Sequence, residues 1–211
     1  MPTDMLPENP AYRIVEIFES LQGEGYNTGM PAVFIRLGKC NLACPWCDTD
    51  YRTFGMMALH DILGRLNAYT ARNIIITGGE PTIQPHLPVL LDALKHAGYF
   101  LCMETNGLNP APPQIDFVSA SPKARYAEKY GKQCIQTASE VRIVADGDVL
   151  AFARQIEQQI RAAHYYLSPC DQNGEMNIYD TIRQIGILNS RANRPVHWQL
   201  SVQTHKWAGI E

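Results

Sequence analysis

The sequence predicts an α/β fold with a mostly parallel sheet, and three observations carry that prediction. Short apolar runs alternate with segments of helical spacing along most of the chain, a pattern that calls for right-handed crossovers between parallel strands. The predicted strands end in small or polar groups, Gly78-Gly79-Glu80, Glu104-Thr105-Asn106, Ser119-Ala120-Ser121 and Ser168-Pro169, and functional groups in such folds gather at the carboxyl ends of strands. Finally, 211 residues, 45% of them apolar, with no internal repeat and no linker, fit one compact domain over residues 1–211.

Residues 1–11 are acidic and proline-rich and read as a loose tail. Partial alternation over 12–18 predicts a strand. A glycine-rich turn at Gly23, Gly25 and Gly29 follows, and a second strand over 32–37 delivers the chain into a cysteine loop. Residues 58–69 have helical spacing, with Leu59, Ile62, Leu63 and Leu66 on one side. The apolar run 73–77 predicts a strand stopped by Gly78-Gly79, and a helix is predicted over 86–97. Strands follow over 99–104 and 115–119, then over 141–144 with a turn at Asp146-Gly147-Asp148. Residues 149–163 read as a helix, 165–167 as a strand, 179–189 as a helix and 196–200 as the last strand.

Composition excludes several function classes. A net charge of −3, from 18 Lys+Arg against 21 Asp+Glu, argues against direct nucleic-acid contact, which relies on phosphate neutralisation. No apolar run reaches bilayer-spanning length, and the first residues lack a secretory segment, so no membrane role is expected and the expected location is cytoplasmic. Six cysteines suggest disulfides only in a small secreted chain; in a reducing compartment clustered thiols more often bind metal. Cys102 lies in an apolar run and is expected to be buried filler, and Cys134 and Cys170 are scattered.

Cys40-Asn41-Leu42-Ala43-Cys44-Pro45-Trp46-Cys47 places three cysteines within eight residues. Thiolates are soft ligands that suit iron–sulfur clusters, zinc and copper(I). Three of them can each hold one iron of a cubane and leave the fourth iron open to a small molecule. A structural zinc usually takes four protein ligands, and the nearby alternatives, Asp48 and His60, are poorly spaced for it. From spacing alone an open cubane, a zinc site and inert cysteines all stand, in that order of preference.

The Cys-x3-Cys-x2-Cys loop after a strand, with Gly78-Gly79-Glu80-Pro81 one helix and one strand downstream, resembles the radical S-adenosylmethionine superfamily. The resemblance implies that Cys40, Cys44 and Cys47 carry a [4Fe–4S] cluster whose open iron is chelated by S-adenosylmethionine. A closer resemblance spans nearly the whole chain. Phe18-Glu19-Ser20-Leu21-Gln22-Gly23-Glu24-Gly25, Phe34-Ile35-Arg36-Leu37, Cys47-Asp48-Thr49, Glu104-Thr105-Asn106-Gly107, residues 119–123 and Gln203-Thr204-His205-Lys206 are similar to the 7-carboxy-7-deazaguanine synthase family. That resemblance implies a truncated, partly open (β/α) barrel, usually a homodimer. It implies ring contraction of 6-carboxy-5,6,7,8-tetrahydropterin with loss of ammonia, dependence on Mg2+, and a single-electron donor such as a flavodoxin.

The same resemblance assigns residues. Gly78, Gly79, Glu80, Glu104, Thr105, Ser119, Ser121 and Lys123 fall to the cofactor; Thr49 falls to magnesium; Leu21, Gln22, Glu24, Arg36, Gln203 and His205 fall to the substrate, with 203–211 as a covering tail. Each has a plainer reading. Gly78-Gly79 also makes a simple strand-to-helix turn, Glu80 also serves to hold the loop, and Lys123 also suits an open surface. Asp48 is chemically the better oxygen ligand for magnesium. Arg36, on an otherwise apolar strand, needs an anion, and an internal partner such as Glu19 or Glu24 competes with a substrate carboxylate. Two rival functions share the motifs: activation of a glycyl-radical partner, against which the short length and the Leu21–Gly25 and Thr204–Lys206 features count, and a zinc-stabilised binding module.

Overall fold

The computed structural model describes residues 9–47, 49–172 and 174–210. Among these, nine strands form one sheet in the order β11-β8-β7-β6-β5-β4-β2-β1-β3. Strand β1 (Ala11–Leu21) runs antiparallel to β2 (Pro31–Leu37) and to the edge strand β3 (Gly55–Ala58). It starts at Ala11, inside the stretch read as a tail. From β2 onward neighbours are parallel: β4 (Asn73–Gly78), β5 (Phe100–Thr105), β6 (Phe117–Ala120), β7 (Glu140–Ala145), β8 (His164–Pro169) and β11 (Trp198–Leu200). Strands β9 (Asp171–Gln172) and β10 (Glu175–Met176) form a separate small hairpin. The sheet's two edges, β11 and β3, are not paired among the described residues, so the architecture is the partial, open (β/α) barrel the resemblance implied.

Helices cover the outer face. Helix α1 (Leu59–Leu66) buries Leu59, Ile62 and Leu66, and α2 (Leu87–His96) buries Leu87, Leu90, Leu91 and Leu94. The three- and four-residue spacing puts each set on one stripe, packed against Ile35, Ile74 and Leu101 of β2, β4 and β5. Helix α4 (Leu150–Gln159), through Phe152 and Ile156, and α5 (Ile178–Asn189), through Leu188, close a second cluster over Val141, Ile143 and Leu167. No helix separates β5 from β6, which is where the barrel is truncated.

Two predicted helices are too long at their C-terminal ends. After Leu66 the chain turns so that the Tyr69 hydroxyl can donate to the Ile17 carbonyl at 2.8 Å. Helix α4 stops at Gln159 because Arg161 pairs with Thr137 in an extended bridge, which takes backbone groups a helix would need. The short helix α3 (Ala127–Lys132) was not predicted; it buries only Tyr130, and one anchor leaves no period to read. Likewise α6 (Thr204–Ala208) buries no residue fully. Cys102 is buried as expected, and burial pushes its thiol up to about 12. Among the described residues no disulfide is formed, and no helix is long and apolar enough to cross a membrane.

Candidate active site

Strand register builds the site. Side chains alternate between sheet faces with period two, so the inward residues of neighbouring strands fall into layers. Phe34, Ile75, Cys102 and Phe117 are paired in sequence across β2, β4, β5 and β6 and make an apolar floor. Two residues further along each strand the layer turns polar. Arg36 pairs with Thr77, Glu104 with Ser119, Ser119 with Glu140, and Glu140 with His164; the Thr77 hydroxyl closes the gap by donating to Glu104 Oε2 at 2.7 Å.

A guanidinium that sequence reasoning passed over organises this layer. Arg142 of β7, with its side chain 6% exposed, donates from Nη2 to Glu104 at 2.6 Å and from Nη1 to Glu24 at 2.7 Å. Its Nε lies 3.0 Å from Glu140 and 2.9 Å from the Ser119 hydroxyl. The Ser119 hydroxyl itself donates to Glu140 at 2.6 Å. Gln22, predicted for the substrate, donates to Glu104 at 3.1 Å and accepts from the Glu24 amide at 3.0 Å. Gln203 donates to the other oxygen of Glu24 at 2.7 Å. Thus Gln22, Glu24, Glu104 and Gln203 do come together. The missed Arg142 carried the same signal as Arg36, a cation inside a short apolar strand.

Burial alone would push the Glu104 carboxyl up, but the Arg142 guanidinium and the hydrogen bonds from Thr77, Arg142 and Gln22 outweigh it and hold the group at about 2, against an ordinary 4.5. Burial would lower the Arg142 value, yet Glu104, Glu24 and Glu140 move it upward. Because the folded value of Glu104 lies below the unfolded one, its contribution to stability is present above pH 4.5 and is lost as pH falls through 2. Glu104→Gln should therefore be less stable than the parent at pH 6, with the gap closing as the pH is lowered toward 3. Urea unfolding at the two pH values measures this, and a gap that stays constant counts against the assignment.

Arg36 finds a different partner from those anticipated. Its Nε pairs with Glu16 at 2.6 Å, while Glu19 instead accepts from Thr70. The Arg36 Nη1 donates to the Thr49 hydroxyl at 3.3 Å, and its guanidinium lies over the Phe18 ring at 5.7 Å. Arg36 and Thr49 are therefore neighbours. Asp48, the rival magnesium ligand, lies outside the described residues.

The cysteine loop is tied down from several sides. The Ala43 amide donates to the Tyr126 hydroxyl, Asn106 donates to the Asn41 side chain at 2.7 Å, and the Trp46 indole donates to Asp146 at 2.8 Å. Burial pushes the Cys40 and Cys44 thiols up, so iron binding would release protons and weaken as pH falls. Three thiols on one short loop are the soft donor set that an iron–sulfur cluster takes, one thiolate per iron; among the described residues no three His, Cys, Asp or Glu side chains converge on one point.

Gly78 and Gly79 were read as room for a ligand. The structure gives a nearer reason: a Cβ on Gly79 would stand 1.8 Å from the Lys39 carbonyl oxygen, and one on Gly78 2.1 Å from that of Leu37. The close approach is by the cysteine loop's own backbone. Glu80, fully buried, accepts from both the amide and hydroxyl of Thr82, from the Thr105 hydroxyl at 2.7 Å and from the Asn106 amide at 2.7 Å. Glu80 and Thr105 thus join the 80–82 and 105–106 segments, as the loop-holding reading of Glu80 requires. Lys123 is half-buried rather than on an open surface; it donates to Ser121 at 2.7 Å and sits 5.2 Å from the Trp46 ring centroid. Burial lowers its pKa against the attraction of Cys44.

The C-terminal segment docks on the glycine-rich turn. Thr204 donates twice to the Gly23 carbonyl, and His205 occupies the space a Gly23 side chain would fill. Leu21, Gln22, Gly23, Thr204 and His205 line a cavity of 250 Å³ between them. Ser168, at the carboxyl end of β8, is a buried hydroxyl with no hydrogen-bond partner among the described residues.

An open barrel carrying three cysteines on the loop after its first parallel strand, with a polar inner layer beneath the carboxyl ends, has the layout of a radical S-adenosylmethionine protein, and the Radical SAM superfamily model matches residues 34–132. The chain is 79% identical over 208 residues to the 7-carboxy-7-deazaguanine synthase of Neisseria meningitidis serogroup B, covering 99% of this chain and 98% of that one. It is 57% identical to the synthase of Haemophilus influenzae, covering 96% and 95%. The crystal structure of QueE from Escherichia coli superposes with a TM-score of 0.68 at 28% identity, covering 92% of this chain and 94% of that one. The chain belongs to the 7-carboxy-7-deazaguanine synthase family.

Proposed function

We propose that this enzyme is a carbon–nitrogen lyase that converts 6-carboxy-5,6,7,8-tetrahydropterin to 7-carboxy-7-deazaguanine and ammonia, supplying the queuosine precursor. One observation beyond kinship carries the reading. Gln203 and Glu24, expected at the substrate, are hydrogen-bonded through Arg142 to Glu104, expected at the cofactor, and on to Thr77, which pairs in register with Arg36, the neighbour of Thr49. At one end stand ionised acceptors suited to the N–H donors of an amino-pyrimidine edge. At the other stands a guanidinium suited to a carboxylate.

Cys40, Cys44 and Cys47 would hold the [4Fe–4S] cluster, with S-adenosylmethionine on its open iron against the 78–80 and 121–123 segments. When bound, these groups would supply one-electron and hydrogen-atom-transfer chemistry, the electron coming from a donor such as a flavodoxin. The protein's own residues position and compensate charge. Glu24, Glu104 and Gln22 orient the pyrimidine. Arg36 neutralises the substrate carboxylate, and Thr49 would offer a neutral oxygen to Mg2+. His205 and Gln203 cover the ring and exclude water. Loss of ammonia alone leaves the ring with no net oxidation, so the overall conversion calls for no net oxidant. A homodimer in the cytoplasm completes the reading, since an exposed cluster needs a reducing compartment.

The test is an anaerobic assay of iron-reconstituted protein with S-adenosylmethionine, reductant, Mg2+ and the carboxypterin, read by mass spectrometry. Formation of 7-carboxy-7-deazaguanine supports the reading; cofactor cleavage without it moves the substrate elsewhere. In the same assay Arg36→Ala should raise the substrate KM by about tenfold or more, the loss of one charge-assisted hydrogen bond. Iron content should not change. An unchanged KM removes Arg36 from the substrate site.

A further inference from the structure

We infer that Arg142, backed by Glu140, is the positioning residue of the substrate site: it acts through Glu24 and Glu104, holding both as oriented acceptors. The inference rests on the pterin reading given above.

The geometry leads there by counting acceptor positions. Three carboxylates, of Glu24, Glu104 and Glu140, converge on one guanidinium whose side chain is 6% exposed. Without that cation, Glu24 and Glu104 would repel each other and lose the orientation its fork imposes. A carboxylate offers about four acceptor positions. Glu104 fills three, with Gln22 and Arg142 on Oε1 and Thr77 on Oε2. Glu24 fills two, with Gln203 on Oε1 and Arg142 on Oε2. Among the described residues no further donor bonds to either carboxylate, and the positions left over suit the N–H groups of a ligand. Glu140 plays another part. It is 2% exposed, it accepts from the Ser119 hydroxyl and from the Tyr26 amide at 2.7 Å, and it forms an ion pair with Arg142 at 3.0 Å. Its carboxylate also fills the space beside Gly25, where a Cβ would lie 2.4 Å from Oε1 and where φ is +69°. Glu140 therefore pins the turn that carries Gln22 and Glu24 to the strand that carries Arg142. Lysine cannot replace the fork: it has the charge but not the fixed geometry that reaches three carboxylates at once.

The experiment compares the holoenzyme with Arg142→Lys, Glu24→Gln and the double variant, using 6-carboxy-5,6,7,8-tetrahydropterin, with iron content and melting curves for each. Product from the parent protein establishes the pterin reading; its absence sinks that reading and leaves no comparison to interpret as positioning. Given product, Arg142→Lys should raise the substrate KM tenfold or more with kcat at saturation within about threefold. A merely structural role lowers the active fraction, and so kcat, and leaves KM where it was. In the Glu24→Gln background the same change should cost less than about threefold, since residues acting through one another are not additive. An unchanged KM, or penalties that multiply in the double variant, overturns the inference. If Arg142→Lys does not fold, Glu140→Gln decides: a KM raised about threefold or more supports positioning, and an unchanged KM rejects it.

Discussion

Cys44→Ala is expected to remove iron, acid-labile sulfide and product formation together while leaving the protein folded. Cys44 is half-buried at the edge of the second apolar cluster, and its backbone carbonyl, not its sulfur, accepts the Cys47 amide at 3.2 Å. Truncation therefore keeps the loop's backbone turn. Loss of one partly buried sulfur costs about 1 kcal/mol, which lowers the melting temperature of a chain this size by about 2–4 °C. The chemical loss is of another order, because two remaining thiolates on one short loop cannot hold a cubane against solvent. Metal and sulfide analysis after anaerobic reconstitution, with mass spectrometry of the product, makes the measurement. Retained product with a full iron complement would remove Cys44 from the cluster; a collapsed melting curve would mean that the loop itself depends on the sulfur.

What the sequence made legible follows from how strong each local signal is. The parallel strands were readable because runs such as Ile74-Ile75-Ile76 are buried on both faces and carry continuous apolar character. Helices α1 and α2 were readable because each presents a full stripe of leucine and isoleucine. Strand β3, whose Met56 side chain is exposed, pairs only with β1 at the sheet's edge and has no such signal. In the site, the cysteine loop and the glycine-rich turn were legible as motifs. The partners were not, since contacts such as Gln203 to Glu24 and Arg142 to Glu24 join residues 179 and 118 positions apart. Register across five strands brings them together, and no local pattern encodes it. Arg36 and Arg142 illustrate the difference. Both are cations in apolar strands, and the alternation shows that each must find an anion. Which anion, Glu16 for one and three carboxylates for the other, is settled only by the folded sheet. Gly79 shows the converse: the residue type was legible, and the group that needs the space was not.

Gly79→Ala separates those two explanations of the Gly-Gly pair. The added methyl would lie 1.8 Å from the Lys39 carbonyl oxygen, 2.4 Å from its carbon and 3.0 Å from the Cys40 nitrogen. These are backbone atoms, so no side-chain rotation relieves the contact. The same spot is where the end of β4 is bonded to the entry of the cysteine loop, with the Gly79 amide donating to Leu37 and the Glu80 amide to Lys39, each at 2.9 Å. Pushing Lys39 and Cys40 away breaks one or both bonds and adds strain, a loss of about 3 kcal/mol or more, seen as a drop of about 6–12 °C in melting temperature. Cys40 moves with the loop, so iron content after reconstitution should fall as well. Gly64→Ala is the control: it lies in α1 with open space around it, and alanine there should be neutral or stabilising by about 0.5–1 kcal/mol. Were the glycine required only for approach of the cofactor, Gly79→Ala would keep its melting temperature and its iron and lose only S-adenosylmethionine affinity. A fall in melting temperature and iron together identifies the cysteine loop's own backbone as the group for which that glycine is kept.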